Sequence, residues 1–262
     1  MWSYQHENFI VHQLPVLRDN YIYLIEAKHS DAIIVIDPAL AEATRDACIK
    51  LGKPLTHIMN THHHWDHTDG NEELKKQFNC QIIGARSDAS RIPGIDIGVD
   101  ETSPPRINGL KVEVLEVPGH TSGHIAYLID DALFCGDALF GAGCGRLFEG
   151  TPAQMWHSLK KLSALHNNTQ VYCAHEYTMS NLAFAFVIEP DNAELNHRIV
   201  TDQKKRDNSF PTIPSCIGAE KATNPFLRPL NQVFCRTYAG QHSIAEDALS
   251  VFTHIRVTKD HF

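Results

Sequence analysis

Four candidate metal ligands fall within six residues of the run Thr61-His62-His63-His64-Trp65-Asp66-His67. On extended backbone, side chains alternate between faces, so His62 and His64 aim one way and His63 the other. Asp66 and His67 fall where the chain turns toward a following helix, and can aim at a second point nearby. This differs from H-E-x-x-H, which presents its histidines one helical turn apart. Neutral imidazole and carboxylate suit zinc, iron or manganese. An isolated histidine-rich run is commonly just solvated surface. Here three further residues end apolar runs: His120 in Val117-Pro118-Gly119-His120-Thr121, Asp137 in Phe134-Cys135-Gly136-Asp137, and His175 in Cys173-Ala174-His175. Loops at the strand ends of one sheet edge converge, so these residues together predict a site for two metal ions. His63 and Trp65 read as packing and supporting residues, and His124 as loop support. Asp69 reads either as a hydrogen-bond partner of a ligand histidine or as a helix cap.

Those ligands need strands to carry them. Ile10 to Leu17, Tyr21 to Glu26 and Ala32 to Ile36 are apolar or β-branched runs separated by polar turns. Thr56 to Asn60 is a short strand leading into the histidines. Gln81 to Gly84, Leu110 to Val117, Ile125 to Ile129, Ala132 to Cys135 and Val171 to Cys173 read as further strands. Leu40 to Leu51 and Glu72 to Phe78 have helical spacing. Thr151-Pro152 places a cap and a proline at the start of a helix through Leu165. After Tyr177 the texture turns helical, around Asn181 to Ile188 and Ala193 to Lys205. A loop-rich segment follows with Pro211, Pro214, Pro225 and Pro229, then a helix over roughly Ile244 to His254. The expected organisation is an α/β catalytic domain over 1–177 and a smaller, mainly α-helical domain over 178–262.

Composition narrows the function. A net charge of −8 argues against nucleic acid as a partner, because such binding needs a basic face. It leaves room for a small basic pocket. Seven cysteines, an odd number without C-x-x-C, read as reduced thiols rather than a disulfide framework. Cys144 and Cys173 lie beside motif residues but read as small buried hydrophobes. The N-terminus has neither signal nor transit character, and no run approaches a membrane span. A cytoplasmic monomer without a membrane partner is expected.

The run T-H-H-H-W-D-H resembles the H-x-H-x-D-H signature of the metallo-β-lactamase fold, and P-G-H-T-x-G-H, C-G-D and A-H-E-Y follow in that superfamily's order. The resemblance implies an αββα sandwich with the site at one edge. It implies His62, His64 and His120 on a first metal, Asp66, His67 and His175 on a second, and Asp137 bridging them. A hydroxide shared by two ions is a nucleophile at neutral pH, with Asp66 or Asp137 orienting it. Zinc is the first expectation, with iron or manganese also suited.

A more specific resemblance, to the glyoxalase II (hydroxyacylglutathione hydrolase) family, covers nearly the whole chain. Gly143 to Thr151, Ala174 to Thr178 and Arg256 to Phe262 carry it, with a weaker match at Asn224-Pro225-Phe226. It implies hydrolysis of S-(2-hydroxyacyl)glutathione, such as S-D-lactoylglutathione, to glutathione and D-lactate, in methylglyoxal detoxification. The implied glutathione contacts are Arg146, Tyr177, Arg256 and Lys259. Phe148 stands where some relatives have a tyrosine, so it offers packing only. Arg146 stands where others have lysine, and Asp37-Pro38-Ala39-Leu40 lacks a glycine and an acidic residue often found there. The alternative reading is a dioxygenase with one iron, acting on glutathione persulfide.

Overall fold

The structure, a computed structural model, describes residues 1–262. The chain forms two compact units, Met1–Glu116 with Gly123–Gly136, and Val117–Ser122 with Asp137–Phe262.

The first unit opens with β1 (Trp2–Gln5), β2 (Phe9–Val16), β3 (Asn20–Ala27) and β4 (Ile33–Ile36), joined by short polar turns into antiparallel pairs. The helix α1 (Ala41–Leu51) then crosses over to β5 (His57–Met59), which lies parallel to β4. Next come α2 (Trp65–Thr68), α3 (Asn71–Phe78), β6 (Gln81–Ala85) and β7 (Ile97–Val99), with β5, β6 and β7 parallel. The switch from hairpins to helical crossovers makes the sheet antiparallel on one side and parallel on the other. All four side chains of β4 are buried, as a continuous apolar run in a covered strand should be. The core beneath α1 and α3 joins Leu24, Val35, Cys48, Ile58, Leu74 and Ile82. Gly52, at φ 67°, ends α1 in the left-handed conformation that glycine adopts without penalty.

A meander of β8 (Val112–Glu116), β9 (Ile125–Ile129) and β10 (Ala132–Gly136) completes this unit. Tyr23 of β3 meets Phe134 of β10 edge-on, with ring centroids 5.7 Å apart. The strands β1 and β7 escape the apolar-run criterion. β1, Trp-Ser-Tyr-Gln, alternates half-buried and exposed residues, and β7 is three residues long with a central glycine.

The second unit starts with the short hairpin of β11 (Leu139–Phe140) and β12 (Gly143–Cys144). The helix α4 (Pro152–Ser163) has the anticipated N-terminus, Pro152 at the first turn and a full capping box between Thr151 and Gln154. Then follow β13 (Gln170–Cys173), α5 (Thr178–Ile188), α6 (Ala193–Asp207), β14 (Ser215–Cys216), α7 (Ile217–Thr223), α8 (Gln232–His242) and α9 (Ala248–Asp260).

The proline-rich stretch is more ordered than its sequence suggests. Its prolines punctuate helices rather than a loop: α7 lies between Pro214 and Pro225, and Asn231 caps α8 two residues after Pro229. The last helix begins at the cap Asp247 and continues to Asp260, so both Arg256 and Lys259 lie within it. Glu220, fully buried on α7, ties this unit together. It accepts hydrogen bonds from Arg198, Ser215, Asn224 and the backbone N–H of Ala142. No helix is long and apolar enough to cross a membrane. All seven cysteines are free thiols.

Candidate metal centre

The histidine run is positioned by the carboxyl end of the parallel strands. After β5, Asn60 N–H donates to Ile83 O of β6, and the Asn60 side chain exchanges hydrogen bonds with Asn71 on α3. Asn60 Nδ2 also donates to the carbonyl of His67, 2.9 Å away, which fixes the start of the short helix α2 against the strand end. Tyr127 Oη donates to Asn60 O. The run is thus held at both ends before any metal is considered.

Alternation works as anticipated. His62 Nε2 and His64 Nδ1 face each other at 3.0 Å. His63 turns away and hydrogen-bonds the buried Asp88 at 3.0 Å. His67 Nε2 and Asp66 Oδ2 are 3.6 Å apart, so the next pair also converges. His124 stacks on His62 with centroids 4.6 Å apart and planes 18° from parallel, a packing role. Gly136 is required here: its φ is +48°, and a Cβ would lie 2.3 Å from Thr61 Oγ1.

Two expectations are corrected. Trp65 is 62% exposed and packs no site residue inward. Asp69 is exposed, and the following helix has Gly70 at its N-cap with no side-chain cap. The carboxylate that holds a site histidine is Asp37, at the end of β4. Its Oδ1 accepts from Thr61 N–H, and its Oδ2 accepts from Thr61 Oγ1 and from His67 Nδ1 at 3.0 Å. A carboxylate on Nδ1 fixes the tautomer that leaves the lone pair on Nε2, the arrangement typical of metal-binding histidine. Asn20 plays a similar part, donating to Asp66 Oδ2 at 3.0 Å. Each had a sequence signal, a polar residue at the end of an apolar strand, but only the tertiary arrangement of β3, β4 and β5 picks them out.

In the second unit, Asp137 faces two histidines with separate oxygens. Its Oδ2 lies 3.4 Å from His120 Nε2, and its Oδ1 lies 3.4 Å from His175 Nε2. His120 Nδ1 donates to the carbonyl of Arg146, so its Nε2 carries the lone pair. The loop carrying His120 is anchored by Ser158 Oγ, which donates to Pro118 O, and by Gly150 N–H on Gly119 O. Gly145 allows the approach, because a Cβ there would lie 2.1 Å from Asp137 O. Tyr177 stacks on His175 with centroids 4.8 Å apart and planes 5° from parallel. The buried Cys144 and Cys173 thiols are pushed up to about 11 and about 12 by burial, which suits inert packing rather than ligation.

The same unit holds a cavity of about 460 Å³ in which His120 and Asp137 meet Phe140, Arg146, Phe148, Tyr177, Arg256 and Lys259. Arg256 is buried, donating through Nη1 to Cys144 O and through Nη2 to Asp260, while its Nε has no hydrogen-bond partner. Lys259 lies 5.0 Å from the Phe184 ring and 4.9 Å from the Phe262 ring. Burial, with Arg256 and Arg146 nearby, holds its ammonium below the usual lysine range. Asp260, bound to Arg256, is the one carboxylate on these cations, so the cavity favours an anionic ligand. Phe148 is 63% exposed and meets His120 edge-on at 5.1 Å.

A family model described as "Hydroxyacylglutathione hydrolase C-terminus" matches residues 176–262, and one described as "Metallo-beta-lactamase superfamily" matches residues 16–175. A hydroxyacylglutathione hydrolase of Rhodospirillum rubrum is 48% identical over 254 residues, covering 96% of this chain and 98% of that protein. One from Methylococcus capsulatus is 47% identical, with 95% and 97% covered. Among solved structures, ETHE1 from Myxococcus xanthus matches with a TM-score of 0.65 at 24% identity, covering 94% of this chain and 98% of that one. A metallo-β-lactamase from Staphylococcus aureus matches with a TM-score of 0.66 at 21% identity, covering 89% and 67%. At such identities the structural likeness is one of fold.

Proposed function

This chain belongs to the hydroxyacylglutathione hydrolase family, within the metallo-β-lactamase superfamily, and on that premise we propose that it hydrolyses S-(2-hydroxyacyl)glutathione. The products are glutathione and a 2-hydroxy acid, and S-D-lactoylglutathione, yielding D-lactate, is the simplest substrate. The reading assigns residues 1–177 to a catalytic domain and 178–262 to a helical domain that helps bind glutathione.

The observation that carries the proposal is the cavity in which cations share one space with His120 and Asp137. Glutathione presents two carboxylates, and charge-assisted hydrogen bonds from guanidinium and ammonium are what recognise them. Arg146, Arg256 and Lys259 bind those carboxylates, and Tyr177 and Phe148 line the path of the peptide. In this reading the thioester end faces His120 and Asp137.

The donor set fits divalent cations. The nitrogens of His62 and His64 face each other, the two Asp137 oxygens divide between two histidines, and backbone or carboxylate partners fix the tautomers of His67 and His120. We assign His62, His64 and His120 to one ion, Asp66, His67 and His175 to the other, and Asp137 to both, with zinc as the first candidate. Bound there, the ions would supply polarisation of the thioester carbonyl and a water acidic enough to react at neutral pH. Asp66 and Asp137 orient the attacking water through their carboxylate oxygens. The cations of the cavity hold the glutathione half, so that the scissile bond is presented to that water rather than diffusing past it. The leaving sulfur departs as a thiolate, which needs little acid assistance because thiols ionise near pH 8.5.

The test is hydrolysis of S-D-lactoylglutathione by the purified protein with its metal content measured. Loss of the thioester with about two ions per chain supports the proposal. No thioester loss, or one iron per chain with oxygen uptake on glutathione persulfide, would overturn it in favour of the dioxygenase reading.

A further inference from the structure

The hydrolytic reading leaves one group of metal-binding side chains without a task. His242 ends α8 and His254 lies on α9, and their rings stand 4.9 Å apart at 45°. Tyr238, one helical turn before His242, lies 4.2 Å from the His242 ring, and its hydroxyl is 3.0 Å from His254 Nδ1. None of these residues lines the cavity that holds His120 and Asp137. Tyr238 and His242 line a different cavity of about 570 Å³, to which Thr258 of α9 also contributes.

His254 is held at its backbone and at its ring. Thr258 Oγ1 donates to its carbonyl at 2.8 Å, and the Tyr238 hydroxyl lies 3.0 Å from its Nδ1. A phenolic hydroxyl accepts as well as donates, so Tyr238 can hold Nδ1–H while an ion takes the lone pair on Nε2. An imidazole with Nδ1–H held by an oxygen and Nε2 open is the arrangement metal-binding histidines adopt. His242, exposed at the end of α8, sets a second imidazole beside that ring.

We propose that His242 and His254 form a two-imidazole site for a transition-metal ion, distinct from the hydrolytic centre and bridging α8 to α9, with Tyr238 orienting His254. Two neutral imidazoles and solvent suit Cu²⁺ best, then Ni²⁺ and Zn²⁺, because affinity at nitrogen sites follows that order. Hard cations such as Mg²⁺ would be refused, since they demand oxygen donors. The exposed position of His242 gives the ion access, and α9 becomes the element that feels its arrival.

The experiment adds one equivalent of Cu²⁺ to the metal-loaded enzyme and records the electron paramagnetic resonance spectrum. A copper signal with splitting from two nitrogen donors is expected in the wild type and is lost in His242→Ala and in His254→Gln. Both variants should keep the unliganded melting temperature and thioester hydrolysis, which shows that they fold. Tyr238→Phe should keep the two-nitrogen signal and weaken copper binding by about 10–100-fold, the usual cost of losing an orienting partner. An identical copper signal in wild type and His242→Ala would place the ion elsewhere and overturn the site. Unchanged affinity in Tyr238→Phe would overturn the orienting role.

Discussion

Asp37 shows how much a residue that touches no substrate can decide. One of its oxygens holds both the hydroxyl of Thr61 and the ring of His67, and the other holds the Thr61 backbone. Asp37→Asn keeps the size but removes the charge and one acceptor. It should lower metal affinity by about 10–100-fold while leaving the circular dichroism spectrum intact, as judged by metal content after dialysis. Asp137→Ala should lower kcat and metal content together, because that side chain faces both His120 and His175. In the proposed function, Arg256→Ala and Lys259→Ala remove binding charge away from the reacting bond. Each should raise KM about tenfold or more with a smaller change in kcat, the signature of lost uniform binding. Lys259 adds a pH signature. Its ammonium is held below the usual lysine range by burial and by Arg256 and Arg146. It therefore loses its charge earlier than an ordinary lysine as pH rises. KM should climb on the alkaline side, and Lys259→Arg should flatten that climb, since guanidinium stays charged. An alkaline limb unchanged in Lys259→Arg would assign it to another group.

At the scale of elements, the second unit depends on a buried ionic knot. Arg198 on α6 pairs with Asp202 and, at 2.7 Å, with Glu220 on α7. Burial alone would depress the Arg198 pKa, but the two carboxylates more than reverse that. Glu220 also carries the N–H of Ala142, in the hairpin that leads to Arg146. Glu220→Gln leaves Arg198 buried with half its compensation. It should cost about 3–5 kcal/mol in urea unfolding, the range for a broken buried pair. Because the hairpin loses its anchor, KM for the glutathione thioester should also rise. A change in stability without a change in KM would separate α7 from the cavity. The helix α9 shows how neighbouring positions on one helix take different partners. Arg256 and Lys259 line the cavity that holds His120 and Asp137, whereas His254 is bonded to Tyr238 of α8.

At the scale of the whole molecule, an acidic chain with a net charge of −8 gathers Arg146, Arg256 and Lys259 around one cavity, which the proposed function reads as the entry of an anionic substrate. Overall repulsion and local attraction respond differently to salt. Added salt screens the exposed Arg146 more than the buried Arg256. KM should rise with ionic strength, and the slope should shrink in Arg146→Ala, measured at fixed pH. Chelation should abolish hydrolysis and lower the melting temperature, with both restored by a divalent ion, because ions that bind only the folded state stabilise it.

The sequence by itself determined the chemistry and the family. The spacing of His62, His64, Asp66 and His67, with His120, Asp137 and His175 at strand ends, required only the two-residue period of extended chain to be read as paired ligands. The motif order and the C-terminal segment point to glutathione without any tertiary contact. Most strands were legible for the same local reason, since apolar runs between polar turns declare themselves. What stayed hidden depended on partners far apart in the chain. Asp37 looked like a loop residue until the parallel register of β4 and β5 brought it to Thr61 and His67. Trp65 sat inside the motif, yet the turn into α2 sent it to solvent. The prolines between Pro211 and Pro229 suggested a loop, but the Glu220 network lets α7 form between them and the Asn231 cap starts α8 directly after them. The histidines His242 and His254, twelve residues apart and without a motif, met only because the turn after Ser243 folds α9 back along α8. Local periodicity names which atoms can bind. Only tertiary register decides which of them share a neighbour, because hydrogen bonds and packing act through space and not along the chain.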